Sequence, residues 1–199
     1  MTNDLLTAAA PLIRLALDED VGPGDITTEA CIPRGTQGVA RIITRGPTVA
    51  CGLFLADPIF SALSAGVTCH PCVPEGTRVY TGRELLRIEG PLATLLTGER
   101  VLLNFLGRLC GVASHVRRFR RKVGSSVALL DTRKTTPGWR ALEKYAVRIG
   151  GGTNHRAGLY DQVLIKENHI AGAGGIVPAI ARVRERVGTQ PIQVEVRNR

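Results

Sequence analysis

A chain of 199 residues that is 44% hydrophobic carries enough apolar side chains to bury a core, which excludes a disordered tail. Its formal charge of +9 leads to the expectation of some anion nearby, and five cysteines, an odd number behind the polar opening Met1-Thr2-Asn3-Asp4, argue for a reducing, cytoplasmic setting over a disulfide scaffold. No apolar run approaches the roughly 18 residues of a membrane span, so no membrane is expected among its partners.

Leu5, Leu6, Ala9, Leu12, Ile13, Ala16 and Leu17 fall on one face at helical spacing and predict an opening helix of about four turns, stopped by Gly22-Pro23-Gly24-Asp25. Val39 to Thr44 and Leu85 to Glu89 read as strands of a small α+β unit, with the Gly- and Pro-rich stretches between them as turns. From Leu92 the helical period returns and runs on into the basic stretch Arg117 to Lys122, predicting one long helix that joins two domains, residues 1–110 and 111–199. Beyond Gly124 the pattern alternates: strand 127–131, helix 138–148, strand 163–166, helix 176–187, strand 191–196. That is the βαβαβ grammar of a parallel sheet or barrel, so the fold class is α/β.

Parallel strands bring their C-terminal ends to one rim, where βα proteins place their chemistry. The strand exits here are charged: Asp131-Thr132-Arg133-Lys134 after the first, Lys166-Glu167-Asn168-His169 after the second, Glu195 within the third. Arg133, Lys134, Lys166 and Glu195 are therefore expected to converge in one cavity. A planar guanidinium beside mobile ammonium groups suits a polyanionic substrate, and an acid among them suggests a bound cation or metal. Gly150-Gly151-Gly152-Thr153-Asn154-His155-Arg156 adds a glycine-rich turn with two polar heads, His155 and Arg156. The bland readings are a solvated loop for Arg133-Lys134 and a helix stop for the glycines. Recurrence of charge at three strand exits favours a site.

Three other patterns carry less. Cys69-His70-Pro71-Cys72 has metal-pair spacing without a second pair. Gly172-Ala173-Gly174-Gly175 lacks the third glycine of a dinucleotide loop and reads as a strand-to-helix turn. Arg100 to Leu130 holds seven Lys or Arg and no Asp or Glu, yet aromatics are 4% of the chain, too few for a stacking nucleic-acid surface. A solvated face, or a basic wall lining an anion site, fits that stretch better.

The strings Asp131 to Gly138, Leu142-Glu-Lys-Tyr-Ala-Val147, Gly150 to Arg156, Gly158-Leu-Tyr-Asp161 and Val163 to Ile170 closely resemble the quinolinate phosphoribosyltransferases, the carboxylating nicotinate-nucleotide pyrophosphorylases of NAD biosynthesis. The likeness extends to Glu19 to Thr28 and Glu99 to Phe105, so it covers nearly the whole chain. It implies an N-terminal α/β sandwich, a C-terminal incomplete α/β barrel and a homodimer. It also implies a reaction: quinolinate and phosphoribosyl pyrophosphate giving nicotinate mononucleotide, pyrophosphate and carbon dioxide, with Mg2+ assisting. Carried over by motif, Arg133, His155 and Arg156 grip the quinolinate carboxylates, with Arg100 reaching in from a partner subunit. Lys134 and Lys166 serve the anions and the phosphoribosyl group, Thr132 supports its loop, and Glu195 meets the ribose hydroxyls or their metal. Family chains run on past the position of Arg199 into phosphate-cradling loops and a second acid. The resemblance thus implies that this chain lacks a C-terminal third, has about three βα units of the barrel, and is inactive or impaired alone. Two other readings compete. A paralogous pyrophosphorylase linked to molybdenum transport is disfavoured by the complete Arg133, Lys134, His155, Arg156, Lys166 set. A basic nucleic-acid-binding module predicts steeply salt-dependent affinity for DNA or RNA.

Overall fold

The computed structural model describes residues 2–197, and the chain divides into two compact units, residues 1–155 and 156–199. Helix α1 (Thr2–Val21) opens the first unit, longer than the apolar period alone indicated because the polar residues Asp18 to Asp20 continue it to the Gly22 turn. Asp25 then caps α2 (Ile26–Cys31): its carboxylate accepts the Thr28 N–H at 3.0 Å and the Thr28 hydroxyl at 2.6 Å. Those bonds hold the Asp25 carboxyl below its ordinary value of 3.8. The Thr97 hydroxyl also donates to Asp25, at 3.2 Å, which ties this turn to a helix 72 positions away.

Strands β1 (Gln37–Ile43) and β5 (Glu84–Pro91) pair antiparallel along their lengths, and β3 (Thr68–Pro71) adds to the other edge of β5. A separate two-stranded ribbon joins β2 (Thr48–Val49) to β4 (Arg78–Val79), and α3 (Ala56–Leu63) follows a short 3-10 turn at Leu53–Leu55. The segments expected to be plain turns therefore hold two short helices and three short strands, whose lengths are below what a periodicity argument can detect. Cys69 and Cys72 lie on and just after β3, and both are free thiols.

Helix α4 (Leu92–Val123) is the spine of this unit. Leu95, Val101, Leu102, Phe105, Leu106 and Leu109 recur at helical spacing and are all almost fully buried, against Ile59 and Phe60 of α3, Leu86 and Ile88 of β5, and Ile13 of α1. Helix α5 (Arg140–Ile149) joins the same core through Leu142 and Ala146, both wholly buried.

The segment 127–131 forms no extended strand. It makes one parallel bridge, Leu130 to Thr153, with Thr153 N–H donating to Leu129 O at 2.8 Å and Asp131 N–H donating to Thr153 O at 3.1 Å. One bridge satisfies only the residues flanking it, so Val127 stays about half exposed. Thr153 is itself a pairing position, where the sequence suggested only a glycine-rich turn.

In the second unit, β6 (Val163–Ile165) and β7 (Ile192–Val194) are parallel neighbours, joined through α6 (Glu167–Ala173) and α7 (Ile176–Val187). The third strand is thus half the length expected. Helix α6 was not foreseen, and Gly174 and Gly175 form a helix-to-helix turn at φ +82° and +136°, where a strand-to-helix turn was expected. No helix among the described residues is long and apolar enough to cross a membrane.

Candidate functional site

In the first unit the segment Asp131 to Gly138 is fastened at both ends by consecutive residues of α5. Lys144 takes one end: its Nζ donates to Asp131 Oδ1 at 2.6 Å and to the His155 carbonyl at 2.9 Å. Both side chains are almost sealed from water, 6% and 7% exposed. The His155 N–H also donates to Asp131 Oδ1, at 2.8 Å. The Asn154 amide, nitrogen inward, bridges Asp131 Oδ2 at 2.8 Å and the Lys144 carbonyl at 2.9 Å. One buried carboxylate therefore holds the charged loop and the glycine-rich segment together.

Glu143 takes the other end, accepting the Thr136 N–H at 3.3 Å and Arg108 Nε of α4 at 3.0 Å. Arg108 also donates to the Thr136 hydroxyl. Its guanidinium lies 5.3 Å from the centroid of the Trp139 ring, which stacks on Phe105 at 4.7 Å. Residues at i and i+1 of a helix point about 100° apart. That divergence lets neighbours of opposite charge reach the two ends of one loop.

The loop thus held presents its cations. The Thr132 hydroxyl accepts the Lys134 N–H at 3.1 Å, a local turn that leaves the exposed Lys134 ammonium to solvent. Arg133 is half-buried, and its Nε is the one buried side-chain polar atom among the described residues with no hydrogen-bond partner. Such an atom costs free energy unless a ligand meets it.

The glycines of the second segment have different tasks. Only Gly151 needs the left-handed region, at φ +92°. A Cβ on Gly150 would stand 2.6 Å from the Ala113 carbonyl and from Val116 of α4, and one on Gly152 would stand 2.7 Å from Val147. These residues are small because helices press against them.

The remaining candidates lie elsewhere. Arg100 is exposed on α4 beside the exposed Glu99. In the second unit Arg156 is buried, with Nη1 donating to the Gln162 carbonyl at 3.3 Å. Lys166 and Glu195 meet at the C-terminal ends of β6 and β7, Nζ to Oε2 3.6 Å, and the Glu195 N–H donates to Ile165 O at 2.9 Å. His169 Nδ1 accepts the Lys166 N–H at 3.0 Å, which fixes the start of α6 beneath that pair. Within each unit the predicted residues cluster: Thr132, Arg133, Lys134 and His155 in the first, Lys166 and Glu195 in the second. Sequence reasoning missed Asp131, Glu143, Lys144, Asn154 and Arg108 as the supporting frame. The signal was a Glu-Lys pair inside a short helix otherwise committed to the core.

Comparison with known proteins bears directly on this arrangement. The family model for the N-terminal domain of quinolinate phosphoribosyl transferase matches residues 25–110, and the model for its C-terminal domain matches residues 112–199. The carboxylating nicotinate-nucleotide pyrophosphorylase of Mycobacterium leprae is 42% identical over 195 residues, 95% of this chain and 68% of that protein. The chain belongs to the quinolinate phosphoribosyltransferase family. A Bacillus subtilis member, a probable carboxylating nicotinate-nucleotide pyrophosphorylase, is 41% identical over 89% of this chain and 62% of its own length. The crystal structure of NadC from Streptococcus pyogenes superposes with a TM-score of 0.91 at 36% identity, covering 97% of this chain and 70% of that one. The mixed α/β architecture agrees with that of these enzymes. The chain spans 53% to 68% of the length of the curated relatives it matches.

Proposed function

We propose that this chain carries the quinolinate-gripping part of a quinolinate phosphoribosyltransferase. The observation that carries the reading is the Asp131–Lys144–His155 fastening of the loop that presents Arg133, with an unanswered Nε, beside Lys134. A dicarboxylate supplies the acceptors this loop lacks, and a planar guanidinium binds a carboxylate in a bidentate fork. In this reading His155 and Arg156 contact the second carboxylate, and Arg100 enters from the other subunit of a homodimer.

Phosphoribosyl pyrophosphate is the co-substrate of the same proposal. The pyridine nitrogen lone pair attacks C1 of the ribose while the bond from C1 to pyrophosphate breaks and its electron pair leaves with the pyrophosphate. Lys134 of the first unit and Lys166 of the second each offer a positive charge suited to that leaving group. The alkylated ring then loses its adjacent carboxylate as carbon dioxide, and the ring carbon takes up a proton. The ring cation stabilises the carbanion, so no dedicated base is assigned. Glu195 stands beyond hydrogen-bond distance from Lys166 and keeps oxygen lone pairs free, which suits Mg2+, an oxygen-seeking ion held by few carboxylates and by substrate phosphates. Bound there, Mg2+ supplies neutralisation of the pyrophosphate charge. Five free thiols fit a cytoplasmic setting.

Calorimetric titration with quinolinate and with nicotinate, which lacks the second carboxylate, tests the reading. Quinolinate is expected to bind at least about tenfold more tightly, and Arg133→Ala to abolish that preference. Equal affinities for the two acids would overturn it.

A further inference from the structure

The basic stretch at the end of α4 has no part in fastening the Asp131–Gly138 loop. On the first unit, Thr48 of β2, Arg78 of β4 and the α4 face from Gly111 to Arg121 enclose a concavity of about 350 Å³. Arg78, His115, Arg117, Arg118 and Arg121 line it, and no Asp or Glu does.

Its positive charges are only partly answered. Arg117 turns its fork to the C-terminal carbonyls of α5, Nε to Gly150 O and Nη2 to Ile149 O, both 3.1 Å, which anchors the wall. The Arg78 guanidinium lies 5.2 Å from the centroid of the Tyr80 ring. Arg118 and Arg121 are exposed, and none of the ion pairs among the described residues includes them.

The hydroxyls at the floor leave a donor over. Thr48 Oγ1 and Ser114 Oγ stand 3.0 Å apart, and Ser114 Oγ already accepts the Val49 N–H at 2.8 Å. Two hydroxyls hold two protons, and the bond between them uses one. The other is left to donate. A concave surface with several guanidinium groups, a spare hydroxyl donor and no anion of its own is complementary to a compact polyanion. Its volume is at the small-molecule end of binding sites, about 300 Å³ and upward.

We propose that this concavity binds the phosphate chain of a small molecule, of the inorganic polyphosphate or nucleoside triphosphate class. The test is calorimetric titration of the full chain with inorganic tripolyphosphate, with ATP and with a single-stranded oligonucleotide, at about 0.1 M salt. The expected result is saturable binding of tripolyphosphate at this site, weakened about tenfold or more in the R118A/R121A double variant. The R118K/R121K variant should retain an intermediate affinity, because it keeps the charge and loses the fork. ATP binding as tightly as tripolyphosphate identifies the phosphate chain as the recognised element, and tighter binding adds the nucleoside. Melting temperature and quinolinate affinity should be unchanged in R118A/R121A, since both side chains are exposed and distant in sequence from the loop frame. Undiminished tripolyphosphate binding in R118A/R121A, loss of that binding in Lys134→Ala instead, or binding of the oligonucleotide alone would each overturn the proposal.

Discussion

Replacing Lys144 by Met keeps the length of the side-chain stem and deletes the ammonium. The variant loses the 2.6 Å bond to Asp131 and the 2.9 Å bond to the His155 carbonyl, at a site where both partners of the ion pair are less than a tenth exposed. Removing one member of a buried pair costs about 3–5 kcal/mol, since it strands the other charge. Asp131 keeps two donors, the His155 N–H and the Asn154 amide, so the lower end, about 3 kcal/mol, is expected. For a chain of this size that is a fall of about 6–12 °C in melting temperature. The assay is a thermal and urea melt of the wild type, Lys144→Met, Asp131→Asn and the double variant. Deleting both charges together should cost less than the sum of the two single losses, because the double variant has no stranded charge. A Lys144→Met loss below about 1 kcal/mol, or strict additivity, would refute the claim that this pair fastens the two segments.

Further outcomes follow from other parts of the molecule. Arg133→Ala should leave the melting temperature nearly unchanged while weakening quinolinate binding about tenfold or more, because its Nε makes no internal bond; parallel melts and calorimetry separate the two effects. Gly150→Ala should cost about 1–3 kcal/mol in a urea melt, because its new Cβ meets a backbone carbonyl and a β-branched side chain, neither able to yield by rotation. Asp25 has a folded-state pKa below its ordinary 3.8, so its cap contributes fully above that value and is lost as pH falls through the folded value. Titration by NMR should place its midpoint below 3.8. Burial raises the thiols of Cys51 and Cys110 and pushes Cys69 up to about 12, so alkylation at pH 8 should label the exposed Cys31 first and reach Cys51 and Cys110 only on unfolding, as peptide mass mapping will read.

What the sequence made legible followed from periodicity and from charge at strand exits. Helix α4, the strands β1 and β5, α7 and the meeting of Lys166 with Glu195 were all readable because each rests on a repeating pattern or on adjacency to an apolar run. Elements of two or three residues, such as β2 and β4, have no period to read, and their positions come from long-range pairing. The stretch 127–131 shows the converse: an apolar run reads as a strand, yet pairing needs a neighbour, and only Leu130 has one in Thr153. Asp131 was visible as the end of that run, but its task depends on Lys144, thirteen residues away on a helix face that composition alone assigns to solvent. The glycines misled for a related reason. Gly151 is glycine for its φ, whereas Gly150 and Gly152 are glycine because of Val116 and Val147, which no local pattern reveals.

The adjacency of Glu143 and Lys144 has a consequence for how α5 can sit. A slip of one residue along its axis would bring Glu143 to the place Lys144 occupies, facing the Asp131 carboxylate in a site with little water to screen the repulsion. A slip the other way would put Tyr145 there and swing Lys144 toward Arg108. Both displaced settings set like charges together, while the native one answers each. The alternating signs on α5 thereby act as a key that fits one position only, and the geometry of the cation-bearing loop is inherited from that single permitted register.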